Sequence, residues 1–225
     1  LGFDPMTLKE MKRVLLSPHG VIVLTGPTGS GKTTTLYSML KHCYSPEVNI
    51  VTVEDPVEYQ LPGINQVQVK SHIGMTFASA LRSILRQDPD VVMVGEMRDK
   101  ETLETAVRAA LTGHLVFSTI HTNSAVATVT RMADMGLERF MVTSALICAI
   151  SQRLIRMICP KCKEPYEASP ALKKQLSDSF HQEVDIELFK GKGCEKCNGT
   201  GYKGRLAVHE YMTMTPKLRE LVLEK

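Results

Sequence analysis

The chain has no tryptophan, and aromatic residues make up only 5% of its 225 positions. Proteins that track single-stranded nucleic acid stack bases on aromatic platforms beside a strongly basic groove. Neither is offered here, since 27 basic residues meet 24 acidic ones for a formal net charge of +3. No nucleic-acid partner is therefore expected. A long uncharged apolar run is also lacking. The best candidate, Met141 to Ile158, contains Gln152, Arg153 and Arg156 and is too polar to span a bilayer. No basic stretch leads into an apolar core at the N-terminus, so no secretory leader is expected. The 43% of hydrophobic residues suffice for one α/β domain with a small appendage. The expected setting is the cytoplasm, where thiols stay reduced. Leu1-Gly2-Phe3 is an abrupt start and Pro216 to Lys225 an unfinished helical pattern, so a longer parent protein is expected.

Among what is present, one stretch organises the rest. Gly26-Pro27-Thr28-Gly29-Ser30-Gly31-Lys32-Thr33 fits G-x-x-x-x-G-K-[ST]. Before it, Val21 to Leu24 reads as a buried parallel strand. After it, Thr34 to His42 reads as a helix. Strand, glycine turn and helix together aim backbone N–H groups and a helix N-terminus at one anion. The glycines let the main chain approach a phosphate closely. Lys32 is a compact charge that reaches the β- and γ-phosphates, and the Thr33 hydroxyl can ligate Mg²⁺. Residues 26–34, Thr34 included, form the expected ATP-binding set.

Further strands are expected at 50–53, 91–94 and 115–119, a weak edge strand over 64–69, and a final strand from Leu206 to Tyr211. Helices are expected before the first strand (Leu8, Met11, Val14 and Leu15 on one face), and over Thr76–Leu85, Glu101–Leu111, Ser124–Met135, Met141–Ile158, Pro170–Phe180 and Pro216–Lys225. Strands alternating with helices give a doubly wound parallel α/β fold. Ligands gather at the carboxyl ends of such strands. Three motifs fall there. Glu54-Asp55-Pro56-Val57-Glu58-Tyr59 brings three carboxylates, readable as a water-polarising group or as a solvated acidic turn. Glu96 follows the strand 91–94, with Gly95 where such folds usually carry an aspartate. His121 follows the strand 115–119, and spacing alone favours a structural role for it.

Cys159-x-x-Cys162 and Cys194-x-x-Cys197 place four thiolates to close a tetrahedron around Zn²⁺. Residues 163–193 make the insert longer than in a compact zinc ribbon. Disulfide or redox readings are weaker in a reducing compartment. Four thiolates leave no open position, so the zinc would be structural. Cys43 and Cys148 read as small buried hydrophobes.

Taken together, these motifs resemble those of the type II secretion and type IV pilus assembly ATPases. The resemblance covers nearly the whole chain. Residues 54–59 are similar to the family's aspartate box, 85–99 to its Walker B segment, and 118–125 to its histidine box. Gln152-Arg153-Leu154 leading into four cysteines resembles the assembly branch, whereas the retraction branch typically lacks those cysteines. The resemblance implies a RecA-like P-loop core over 1–157, a tetracysteine subdomain over 158–203 and the start of a further strand and helix over 204–225. It implies a homohexamer in the full-length protein, acting at the cytoplasmic face of the inner membrane through a platform protein. It also implies catalytic roles: Lys32 neutralises phosphoryl charge, Glu58 or Glu96 polarises water, Glu96 orients Mg²⁺, and His121 senses the γ-phosphate. By the same resemblance, arginines acting in trans would come from an N-terminal domain outside this chain. Arg82, Arg86, Arg98 and Arg108 lie near the motifs without a ranking among them.

Overall fold

The computed structural model describes residues 1–181 and 187–224. Helix α1 (Pro5–Leu15) is capped by Asp4, whose carboxylate accepts from the N–H groups of Met6 and Thr7, each at 3.0 Å. Pro5 takes the first position, where no N–H is needed. There follow β1 (Gly20–Thr25), α2 (Lys32–Cys43), β2 (Ile50–Glu54), β3 (Asn65–Gln68), α3 (Phe77–Ile84), β4 (Val91–Val94), α4 (Lys100–Leu111) and β5 (Leu115–Ile120). The order continues with α5 (Ala127–Asp134), α6 (Arg139–Ala145), β6 (Leu146–Ile158), β7 (Lys163–Tyr166), α7 (Pro170–Phe180), β8 (Leu188–Gly191), β9 (Tyr202–Thr213) and α8 (Pro216–Glu224).

Seven strands form one sheet in the order β3-β2-β4-β5-β1-β6-β9. The pairs from β3 through β6 are all parallel. Strand side chains point alternately to the two faces, and two cores result. Val21, Val23, Val53, Val92, Val94 and Val116 pack on one face with residues of α3, α4 and α6. Ile22, Leu24, Ile50, Met93 and Phe117 pack on the other with α1 and α2. Burial on both faces explains why these strands read as continuous apolar runs. The parallel α/β fold expected from sequence is present.

Contacts divide the chain into two compact units, Leu1–Arg153 with Ala207–Lys225, and Leu154–Leu206. The second holds β7 and β8, paired antiparallel from Lys163↔Gly191 to Tyr166↔Leu188, together with α7 and the four cysteines.

Three expectations need correction. The helix expected over Met141–Ile158 is not one element: α6 ends at Ala145, and Leu146–Ile158 is a strand that pairs with β1. A short apolar run buried on both faces has no periodicity that separates helix from strand, and the pairing decided it. The helix expected from Ser124 begins at Ala127, with the Ser124 hydroxyl accepting from the Ala127 N–H at 3.1 Å. The last strand, expected from Leu206 to Tyr211, runs from Tyr202 to Thr213. The helix expected over Pro216–Lys225 is found over Pro216–Glu224, and Lys225 lies outside the described residues.

Candidate functional site

The glycine turn connects β1 to α2. Gly26, Gly29 and Gly31 all take positive φ (136°, 75° and 85°), which side chains resist. At Gly26 there is also no room, because a Cβ would collide with the backbone carbonyl of Gln152. Gly31 is the N-cap of α2 and supplies no side-chain hydrogen bond to it. The first-turn N–H groups of α2 are thus left for another acceptor. Ser30 Oγ is buried without a partner. The Lys32 Nζ folds over this turn, donating to the carbonyls of Gly26 at 2.9 Å and Pro27 at 3.1 Å. Burial lowers the Lys32 pKa, and the charge of Glu96 opposes that shift. Pro27, Thr28 and Gly29 are exposed, and Thr33 half-buried. An uncapped helix start, an orphaned hydroxyl and an ammonium suit a phosphate group.

Glu96 follows β4 and is paired twice. Arg98 forms an ion pair with one carboxylate oxygen, and His121 Nε2 lies 3.4 Å from the other. One backbone and one side-chain bond fix these loops: the Met97 N–H donates to Thr119 O at 2.9 Å, and the Thr119 hydroxyl to Gly95 O at 2.8 Å. A Cβ at Gly95 would lie 3.3 Å from Val53 O. An aspartate at that position would press its Cβ on that carbonyl. Of the four arginines, Arg98 alone pairs with a site carboxylate. Arg82 pairs with Glu101, Arg108 with Glu104, and Arg86 bonds Ser83.

The three carboxylates after β2 separate. Glu54 is buried and accepts from Tyr37 Oη, from Thr52 Oγ1 at 2.6 Å and from Gln66 Nε2 at 3.0 Å. It is fully engaged. Gln66 also accepts from the Leu61 N–H at 2.6 Å and donates to Tyr59 O at 3.2 Å, so it pins the segment after Glu58. Glu58 is exposed, and its backbone hydrogen-bonds the Tyr37 hydroxyl. Burial first, then the hydrogen bond to Glu54, pushes the Tyr37 pKa well above its usual range. The structure thus joins Lys32, Glu96, Arg98 and His121 in one group, and ties Glu58 to α2 through Tyr37. Sequence reasoning missed Tyr37, Gln66 and the anchoring role of Glu54. No local signal marks them, because each acts across the sheet.

The four cysteine sulfurs all lie within 4.8 Å of one another. Cys159–Cys194, Cys162–Cys197 and Cys194–Cys197 are 4.0, 3.8 and 3.7 Å apart. Four thiolates at about 2.3 Å from a tetrahedral Zn²⁺ would be about 3.8 Å apart. The Cys197 Sγ accepts from the N–H groups of Cys194 (3.2 Å) and Gly201 (3.3 Å). Such bonds stabilise a thiolate. The donor set fits a tetrahedral metal, and all four free cysteines expected to converge do so.

A strand, glycine turn and uncapped helix around an ammonium, with a carboxylate after β4, two strands from β1 in the sheet, define a P-loop domain of the parallel α/β class. Residues 1–225 match the family described as Type II/IV secretion system protein, and the chain belongs to that family. It is 53% identical over 222 residues to the Type II secretion system ATPase E of Vibrio cholerae, covering 99% of this chain and 44% of that one. It is 49% identical over 223 residues to the Type IV pilus assembly ATPase PilB of Thermus thermophilus, covering 99% of this chain and 25% of that one. The chain therefore spans less than half the length of these relatives. The crystal structure of the pilus retraction motor PilT with bound ADP is similar at a TM-score of 0.71 and 34% identity, covering 100% of this chain and 55% of that one. No helix among the described residues is long and apolar enough to cross a membrane.

Proposed function

We propose that this chain is the ATP-hydrolysing motor domain of an ATPase that powers assembly of a type IV pilus or a type II secretion pseudopilus. The observation that carries the reading is the Lys32 ammonium at the uncapped start of α2, coupled to Glu96, in a chain of this family. Residues 26–34 cradle the phosphates of ATP. Lys32 exchanges its contacts with Gly26 and Pro27 for phosphate oxygens and neutralises charge that grows on the transferring group. Thr33 and Glu96 would hold Mg²⁺, which supplies further charge neutralisation when bound. Glu58, exposed and unencumbered by the Glu54 network, polarises the attacking water, with Glu96 as the alternative. His121, beside Glu96, couples that carboxylate to the γ-phosphate state. Arg98 occupies Glu96 in this structure and is the first arginine to release it.

Cys159, Cys162, Cys194 and Cys197 would hold Zn²⁺ in a structural role. In the full-length protein, a homohexamer at the cytoplasmic face of the inner membrane, peripherally attached through a platform protein, would turn hydrolysis into movement. The domain division expected from sequence (1–157, 158–203 and 204–225) belongs to the same proposal.

The test uses the full-length protein. Lys32→Ala should lower ATP turnover by about 10²–10³-fold, the loss typical of one charge-stabilising donor. Glu96→Gln should bind ATP and turn it over poorly. Wild-type turnover by Lys32→Ala would overturn the assignment.

A further inference from the structure

Gln152 has no part in the chemistry above, yet it touches the phosphate loop at three places. It follows Ser151, which pairs with Thr25 at the end of β1, and is 2% exposed. Its Nε2 donates to the Ser30 carbonyl at 2.6 Å. Its Oε1 accepts from the Thr35 hydroxyl at 2.8 Å and from His209 Nε2 at 3.2 Å. Its backbone carbonyl occupies the space beside Gly26. One residue thus meets the start of the loop, its last turn and the first turn of α2.

The chemistry of the side chain matters. A backbone carbonyl only accepts, so the atom facing Ser30 O must be the amide nitrogen. The opposite end then has to accept, which fits the Thr35 hydroxyl and a His209 that carries its proton on Nε2. Glutamate would lack the donor, and leucine would lack both ends. Since α2 has no side-chain cap, this amide is what ties the loop to the sheet. His209 comes from β9, and its ring stacks on Phe3 with centroids 3.8 Å apart and planes 17° from parallel. Phe3 immediately precedes Asp4, the cap of α1.

We propose that Gln152 is a positioning residue for the phosphate loop, and that the Phe3–His209 stack couples it to the segment leading into α1. A displacement of that segment would then reach Ser30 through three contacts, Phe3 to His209, His209 to Gln152 and Gln152 to Ser30. This rests on reading the loop as a nucleotide site.

The experiment measures the affinity of the full-length protein for a fluorescent N-methylanthraniloyl-ADP, alongside the KM and kcat for ATP and a thermal melt. Gln152→Glu keeps the shape and the two acceptor contacts but loses the bond to Ser30. It should weaken binding about 10-fold, and Gln152→Ala about 10- to 100-fold, the scale of losing one or several buried hydrogen bonds. KM should rise as affinity falls, while kcat at saturating ATP changes less. Phe3→Ala should weaken binding a few-fold in the wild-type background and not further in Gln152→Ala, because coupled sites are non-additive. A lower melting temperature with unchanged affinity in Gln152→Glu would make the residue merely structural and overturn the proposal. Additive effects of Phe3→Ala and Gln152→Ala would overturn the coupling. A wild type that binds no nucleotide overturns both readings, whereas a wild type that binds while Gln152→Glu binds equally overturns this one alone.

Discussion

In the sheet unit, Ile22, Leu24, Leu40, Phe117 and Met132 are all fully withdrawn from solvent. In the unit Leu154–Leu206, the only buried side chains among the described residues are those of Cys159 and Cys197. Its helix α7 buries nothing. Lys163 lies over the Phe189 ring, 3.7 Å from its centroid, and Arg156 over Tyr202 at 4.0 Å, but such contacts at exposed sites are each worth only about 0.5–1 kcal/mol. One unit is held by apolar burial at roughly 1.5–3 kcal/mol for each large side chain. The other has four sulfurs where a core would be. A domain of that size usually needs a metal or disulfides in place of apolar area. The difference teaches where each unit should fail.

The largest expected effect is metal removal. Structural zinc in small domains contributes on the order of 10 kcal/mol. Chelation, or Cys159→Ser, should release about one zinc per chain and unfold residues 154–206 while β1, β4 and β5 stay protected. Hydrogen exchange resolved by segment checks this, and protection that persists in 154–206 after chelation would break the comparison. The four thiols should also resist alkylation until the chelator is added.

A smaller effect sharpens the contrast from the apolar side. Phe117→Ala should cost about 3–5 kcal/mol, since it removes a fully buried ring between two packed layers. Leu176→Ala, on the half-buried face of α7, should cost about 1 kcal/mol or less. Chemical denaturation of both variants measures the pair. Equal losses would mean that α7 packs more tightly than its exposure indicates.

The same contrast explains what the sequence made legible. Lys32 and the glycines around it, and the paired cysteines, are local patterns in which residue type and spacing carry the chemistry. Valine runs such as Val91–Val94 announce buried strands because both faces are covered. Met141–Ile158 reads as one helix because Leu146–Ile150 is apolar without alternation and the following residues carry arginines, so no period marks the change to strand at Leu146. In the sequence, Gln152 stands out as a polar break in an apolar run and as part of a family motif, and neither marks a contact with the phosphate loop. Its partner Ser30 is far away in sequence, and only the parallel pairing of β6 with β1 brings them together. Glu54 and Glu58 are chemically alike on paper, and burial beside Tyr37 separates them.

Tyr37 gives an effect smaller than that of Phe117, together with a pH signature. Its hydroxyl donates to Glu54, its ring meets Tyr59 edge-on at 4.7 Å, and it accepts from the backbone of Glu58. Tyr37→Phe keeps the ring and deletes the donor. Glu54 retains Thr52 and Gln66, so the cost should be about 1–3 kcal/mol, that of one unsatisfied buried acceptor. The folded-state pKa of Tyr37 is raised above the unfolded value of about 10. Above that pH the unfolded chain loses this proton before the folded one does. Unfolding stability therefore falls as pH rises beyond about 10, and the contribution is fully present below it. Tyr211 is raised in the same direction, by burial first and then by Cys148, and adds to the same fall. Tyr37→Phe removes one of the two contributions. Denaturation midpoints taken between pH 8 and 11 should show a lower plateau for the variant and a shallower alkaline decline than in the wild type. An alkaline decline of equal slope would mean that Tyr37 ionises in the folded protein as readily as in the unfolded chain, and the hydroxyl bond to Glu54 would then not be what anchors the segment carrying Glu58.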